Sequence, residues 1–343
     1  MSQPDPSPFA LLARESSNRV FGTFAPELLA AEIAAIGPHF SNGLTNIEVA
    51  EIGGLPCVKF DLDVANEGDV FLASNLALGR GLFGVRPDGA LYPLAYRPLE
   101  FFDTDLITIQ RYAGKTNEQF THLLVNLALA ESKSAHRRAE AGESVRLLDP
   151  VAGRGSTLNR GLTYGFDVAG VEVEESSVDQ YRQFLSTYLK DHRIKHKLSS
   201  ERIRKGEHSG ASAFEIAINP ALESGRQHVR MVRASTSSAV GLLPSKYFDV
   251  VVGDLPYGLA HRAKSQSADR SPEQLVGDSL SGWWSLMTPG ASMGLSWNVK
   301  TMPRKRLVDL LEAAELDVVE HPRSLEHRVD RQIVRDLIVA VKR

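Results

Sequence analysis

The chain has 343 residues with 39 basic and 42 acidic side chains, a formal net charge of −3; 43% of it is hydrophobic and 24% charged. These values exclude a disordered chain, a collagen-like rod and a coiled coil, and the length predicts two domains, each able to bury a core of its own. The single cysteine, Cys57, excludes an internal disulfide framework and a cysteine-rich metal site.

Residues 1–120 carry 8 basic and 15 acidic side chains, whereas residues 121–343 carry 31 and 27. A polyanionic partner would therefore favour the second part. No run of about 18 apolar residues stands out, so no membrane span is expected. Residues 1–17 lack the basic flank and apolar run of a secretory signal. The expected setting is cytoplasmic.

Residues 1–17, with Pro4, Pro6 and Pro8, read as a flexible tail. Residues 24–36 read as a helix with Pro26 in its first turn and Leu29, Ile33 and Ile36 at helical spacing. Two strand-like runs, 47–52 and 57–62, are split by Gly53-Gly54, a hairpin-turn signal. Residues 70–78 read as a helix and 81–85 as a strand. Together, residues 18–115 read as a small α+β domain, with a linker at 97–105.

Thr116 and Gln119 fit a capping box, and Phe120, Leu123, Leu124 and Leu127 then share one helical face. From residue 145 strands alternate with helices. The strands are 145–148, 168–173, 228–232, 248–253 and 292–297, with closing strands at 317–320 and 335–341. Helices open at Ser176 or Ser177, at Ser271-Pro272 and at Pro303. Residues 116–343 thus read as an α/β domain with a mostly parallel sheet, in which ligands bind at the carboxyl ends of strands.

Two motifs fall on that edge. The first, Asp149-Pro150-Val151-Ala152-Gly153-Arg154-Gly155, lies where the first strand turns into a helix. Its two glycines let the backbone approach a ligand closely. Leu158 stands where a dinucleotide fingerprint needs its third glycine, and no Gly-Lys-Ser/Thr follows, so it is neither that fingerprint nor a P-loop. Glu172 ends the second strand 23 residues after Asp149 and can accept hydrogen bonds from ribose hydroxyls. The second motif, Asp254-Leu255-Pro256-Tyr257-Gly258, follows the fourth strand. It can present a carboxylate, a backbone carbonyl and an aromatic face to one planar aromatic amine. Such an amine is a poor nucleophile because its lone pair is delocalised into the ring. Asp254 and the Leu255 carbonyl can accept its two hydrogens, and Tyr257 can stack on the base.

In this order the motifs resemble a class I S-adenosylmethionine-dependent methyltransferase, and the Asp-Leu-Pro-Tyr turn is similar to the Asp-Pro-Pro-Tyr motif of enzymes that methylate exocyclic amines of bases. The helix containing His122 and Asn126 just ahead of the glycine motif resembles the tRNA and rRNA guanosine-N2 methyltransferases, which often carry an N-terminal RNA-binding THUMP domain. The resemblance implies a Rossmann-like methyltransferase domain, residues 18–115 as a degenerate RNA-binding domain, S-adenosylmethionine as cofactor and structured RNA as substrate. It implies Asp149, Pro150, Gly153 and Gly155 around the methionine part, Glu172 on the ribose, Ser235 in place of an acidic residue at the adenine, and Asp254 through Tyr257 at the target base. Leu255 replaces the usual first proline.

Lys190, Arg193, Lys195, Lys197, Arg202, Arg204 and Lys205 form a basic stretch, read as a continuation of the helix after the second strand and a candidate grip on phosphates. Lys300, Arg304, Lys305 and Arg306 form a second cluster. The histidines show no metal-ligand spacing, so no metal is expected. Two other readings stand at this point. One is a DNA methyltransferase acting on adenine N6 or cytosine N4. The other is a catalytically silent RNA-binding protein that keeps only the fold.

Overall fold

A computed structural model of the chain describes residues 7–16, 18–41, 43–62, 66–112, 114–203, 210–219, 227–256 and 271–343. They divide into two units, one of Met1–Leu99 with Glu320–Val334 and one of Glu100–Val319 with Arg335–Arg343.

The first unit runs β1 (Ser7–Ala13), α1 (Arg19–Ile36), β2 (Thr45–Ile52), β3 (Leu55–Leu62), α2 (Glu67–Ser74), β4 (Gly79–Val85) and β5 (Leu91–Pro93). Its sheet order is β2-β3-β1-β4-β5, every pair antiparallel. A β-α-β-β-α-β chain with β1 set between β3 and β4 is the ferredoxin-like arrangement. Residues 1–17 are therefore not a flexible tail throughout. Phe9 and Leu11 sit opposite Phe60 and Val58, and all four are buried. Pro8 is only the second residue of β1, where one absent N–H leaves most of the strand free to pair.

Helix α1 begins at Arg19, with the Asn18 side chain accepting from the Phe21 N–H, so Pro26 lies inside the helix rather than in its first turn. The segment Arg19–His39 is long and apolar enough to cross a membrane by length and composition, against the expectation of no such run. In the folded chain it is a core helix, with Phe21, Leu28, Leu29 and Ile33 buried. Between β2 and β3, Gly53 and Gly54 have φ of 59° and 81°, the left-handed pair that a two-residue hairpin turn requires.

The second unit contains α3 (Asp105–Thr108), α4 (Glu118–Glu131), α5 (Lys133–Glu140), β6 (Arg146–Asp149), α6 (Ser156–Thr163), β7 (Asp167–Glu172), α7 (Glu175–Asp191), β8 (Lys195–Arg202), β9 (Ser212–Asn219), β10 (Gln227–Arg233), β11 (Phe248–Asp254), α8 (Pro272–Leu286), β12 (Met287–Asn298), α9 (Arg304–Ala313), β13 (Leu316–Val319) and, after β14 (His327–Arg328) of the first unit, β15 (Val334–Lys342). The second domain is thus not one continuous segment from 116: residues 320–334 leave it and belong to the first unit.

Its sheet follows the order β13-β15-β12-β11-β6-β7-β10-β9-β8. The central run β10-β7-β6-β11-β12 is parallel throughout, whereas β15 runs antiparallel to β12 and β13, and β9 runs antiparallel to β10 and β8, so the sheet is mixed. This is the Rossmann-like fold expected for a class I methyltransferase. β6 is followed by β7 on one side, and the chain later crosses back to place β11 on the other. The topological switch point therefore lies between the carboxyl ends of β6 and β11. All of β11 except Asp254 is buried, as an apolar strand covered on both faces must be.

Two expectations fail here. Helix α7 ends at Asp191, and the basic stretch continues as β8, an edge strand paired with β9 rather than a longer helix. The N-cap of α4 is Asn117, whose side chain accepts from the Gln119 and Phe120 N–H groups at 2.8 and 3.2 Å, and Thr116 is released for another partner.

Candidate active site at the strand ends

The glycine turn after β6 is held from beneath. Asp149 is 3% exposed and accepts the Val151 N–H at 2.9 Å. Burial, reinforced by the nearby Asp254 and Glu172, pushes its carboxyl up to about 7. Gly155 caps α6 at φ 79°, and a Cβ there would lie 2.3 Å from the Tyr181 ring. Gly153, at φ 50°, would meet nothing within 4 Å, so the loop faces open space at that point. Glu172, at the end of β7, accepts the Gly153 N–H at 2.9 Å and the Glu174 N–H at 2.7 Å. Burial also raises its carboxyl, while these N–H groups oppose the shift.

Asp254, last in β11, lies beside Ser296 of β12 in the parallel register. One carboxylate oxygen accepts the Ser296 hydroxyl and the other the Thr116 hydroxyl. Arg335 of β15 stands behind it, its guanidinium 3.8 Å from the carboxylate and 4.6 Å over the Phe120 ring. Burial pulls the Arg335 guanidinium below its ordinary value, and Asp254 counteracts this. The Leu255 side chain is 1% exposed and belongs to the core, with its N–H on the Ser296 carbonyl at 2.8 Å. The leucine in place of proline thus anchors the turn by its side chain, and Pro256 is exposed. Tyr257 and Gly258 lie outside the described residues.

Asp149, Gly153, Gly155, Glu172 and Asp254 therefore come together at the carboxyl ends of β6, β7 and β11. Ser235 stands at the same edge just after β10, its hydroxyl 2.9 Å from that of Ser237. Tyr112, on the segment ahead of α4, adds an aromatic ring beside the glycine turn. Its hydroxyl is 3.1 Å from Ser156 Oγ, and burial raises its pKa.

The other candidates lie elsewhere. Lys190 at the end of α7, Arg193 in the turn that follows, and Lys195, Lys197 and Arg202 on β8 are exposed, while Arg204 and Lys205 fall outside the described residues. In the second cluster, Arg304 pairs with Asp336 at 2.7 Å and Arg306 with Glu273 at 2.7 Å. His122 and Asn126 are buried on α4, where Tyr164 donates to Asn126 at 2.6 Å and its hydroxyl also bonds the His122 ring. These two residues join α4 to the end of α6 instead of lining the site. His192 bridges Asp103 and Asp105 at 3.2 and 3.1 Å through its two ring nitrogens.

Sequence reasoning missed Thr116, Ser296, Arg335 and Tyr112. Arg335 had a signal, a charged pair with Asp336 at the head of the apolar run Leu337–Val341. Thr116 was masked by its fit to a capping pattern. Ser296 is marked only by the strand register.

No family model and no curated protein matches the chain. Among solved structures it is similar to a TehB-like SAM-dependent methyltransferase from Corynebacterium glutamicum, with 11% identity and a TM-score of 0.35 over 61% of this chain and 94% of that one. It is similar to 1,6-didemethyltoxoflavin-N1-methyltransferase of Burkholderia thailandensis, solved with 1,6-didemethyltoxoflavin and S-adenosylhomocysteine (18%, 0.35, 61% and 76%). It is also similar to precorrin-6y C5,15-methyltransferase of Geobacter metallireducens (12%, 0.40, 72% and 99%). The fold itself rests on the strand order and pairing of this chain.

Proposed function

We propose that the chain is an S-adenosylmethionine-dependent methyltransferase acting on an exocyclic amine of a nucleic-acid base, namely guanine N2 in structured RNA. The observation that carries this is the convergence of Asp149, Glu172 and Asp254 on the switch point, below a glycine turn with open space at Gly153. The carboxylates of Glu172 and Asp254 suit a cationic ligand with a ribose better than a phosphate-rich one, which they would repel. Bound there, S-adenosylmethionine supplies an electrophilic methyl group on its sulfonium.

The chain's own contribution is binding and orientation. Glu172 receives ribose hydroxyls, and Asp149 holds the turn. Asp254 accepts one hydrogen of the target amine and the Leu255 carbonyl the other, drawing the nitrogen out of conjugation. The Thr116 and Ser296 hydroxyls, one on each carboxylate oxygen, fix Asp254 in place. Tyr257 stacks on the base, which is taken out of its stack to reach the site. RNA as the substrate is supported by the exposed Lys190, Arg193, Lys195, Lys197 and Arg202, and guanine N2 by the resemblance of the glycine motif and its preceding helix to guanosine-N2 methyltransferases.

The test is nucleoside mass spectrometry of tRNA, rRNA and DNA from cells lacking the protein, rescued with wild type or Asp254→Ala. Loss of N2-methylguanosine from one RNA, restored by wild type alone, is the expected result. Loss of a methylated base from DNA, or no change in any pool, overturns the proposal.

A further inference from the structure

Arg154 stands between Gly153 and Gly155, and its guanidinium lies 4.5 Å over the Tyr112 ring. Among the described residues it has no carboxylate partner. Its neighbourhood is nonetheless acidic, since Tyr112 senses Asp149 and Asp254 as well as Arg154. Two other cations among the described residues near the turn are engaged. Lys115 donates to the Ile107 carbonyl at 2.7 Å, and Arg335 is buried behind Asp254.

Stacking uses the face of a guanidinium and leaves its N–H edge available, the edge that pairs with a carboxylate. The amino-acid end of S-adenosylmethionine carries both an ammonium and a carboxylate. Glu172 and Asp254 favour cations and disfavour that carboxylate, which a guanidinium at the turn would offset. Resting on the methyltransferase reading above, we infer that Arg154, braced on Tyr112, is the specificity residue that binds the cofactor's α-carboxylate. It selects the intact amino-acid tail over the truncated nucleoside thioether.

The test is calorimetric titration of the full chain with S-adenosylhomocysteine and with 5′-methylthioadenosine, which lacks the amino-acid part. Wild type prefers the former. Arg154→Ala loses about 10- to 100-fold in affinity for S-adenosylhomocysteine, the range for a charge-assisted pair, with less than about twofold change for 5′-methylthioadenosine. Arg154→Lys, which keeps the charge but not the fork, falls between them. Equal losses for both ligands, or an undiminished preference in Arg154→Ala, overturn the assignment while leaving the methyltransferase reading intact. Wild type that binds neither ligand overturns both.

Discussion

Thr116, in the segment ahead of α4, gives its hydroxyl to the carboxylate of Asp254 at the end of β11, a contact that spans 138 residues of chain. With the Ser296 hydroxyl on the other oxygen, the carboxylate is fixed from two elements. Asp254→Ala is expected to lower methyl transfer by at least about 100-fold, the scale for losing one preorganised polar contact in a transition state. Affinity for S-adenosylhomocysteine should change by less than about threefold, since little ground-state binding is removed. Thr116→Val, which only loosens the carboxylate, should cost about tenfold in rate, one hydrogen bond's worth. Single-turnover kinetics on the RNA found by mass spectrometry read both, and an active Asp254→Ala removes the residue from the chemistry.

Glu172 accepts the Gly153 N–H, and the proposed function assigns it the ribose hydroxyls as well. Glu172→Ala is expected to weaken S-adenosylhomocysteine binding by about 10- to 100-fold, the value of charge-assisted hydrogen bonds. Calorimetry checks this, and unchanged affinity would remove Glu172 from the ribose.

Asp149 makes stability depend on pH in a definite direction. Its folded-state carboxyl titrates at about 7 and the ordinary value is 3.8, so between these pH values the folded chain keeps a proton that the unfolded chain has lost. The contribution of this group to stability is complete below the unfolded value and is lost as pH rises through about 7. Asp149→Asn carries no such titration and should gain on wild type by about 2–4 kcal/mol between pH 4 and pH 8, at roughly 1.4 kcal/mol per unit. Urea unfolding at the two pH values measures the difference, and a pH-independent one refutes the assignment.

The two glycines of the turn should respond differently to alanine. At Gly155 a Cβ meets the Tyr181 ring at 2.3 Å on a left-handed backbone, so Gly155→Ala should destabilise the unit by about 2–4 kcal/mol. At Gly153 the space is open, so Gly153→Ala should cost only about 1–2 kcal/mol of backbone strain. Its Cβ would instead occupy the open space and reduce cofactor affinity. Denaturant unfolding and titration of each variant separate the two effects.

Deleting residues 1–17 tests the first unit. Strand β1 is paired on both sides, with β3 and β4. Its loss should therefore abolish protease resistance across residues 18–99, whereas removal of a true tail would leave it intact.

Much of the second unit was legible in the sequence because its signals are local. An apolar run such as β11 reports a strand covered on both faces, Ser271-Pro272 caps α8 as a capping box, and a glycine-rich turn between strand and helix needs no distant partner. In an alternating β/α chain these signals also place the motifs on one edge, so Asp149, Glu172 and Asp254 could be assigned to a common site. Local signals also misled. Thr116 fits a cap that Asn117 fills, and three prolines made a central strand read as a tail.

What the sequence by itself determined is the set of central strands β6, β7, β10, β11 and β12, the helices that open after β7 and β11, and the residue types at the ends of β6, β7 and β11. Tertiary structure alone decided that β1 lies at the centre of its sheet, that the basic stretch becomes an edge strand on β9, and that Thr116, Ser296 and Arg335 gather around Asp254. The physical reason is range. Periodicity and capping are set within a few residues, whereas strand order and register follow from which buried faces pair across the whole chain, and no local pattern records that choice.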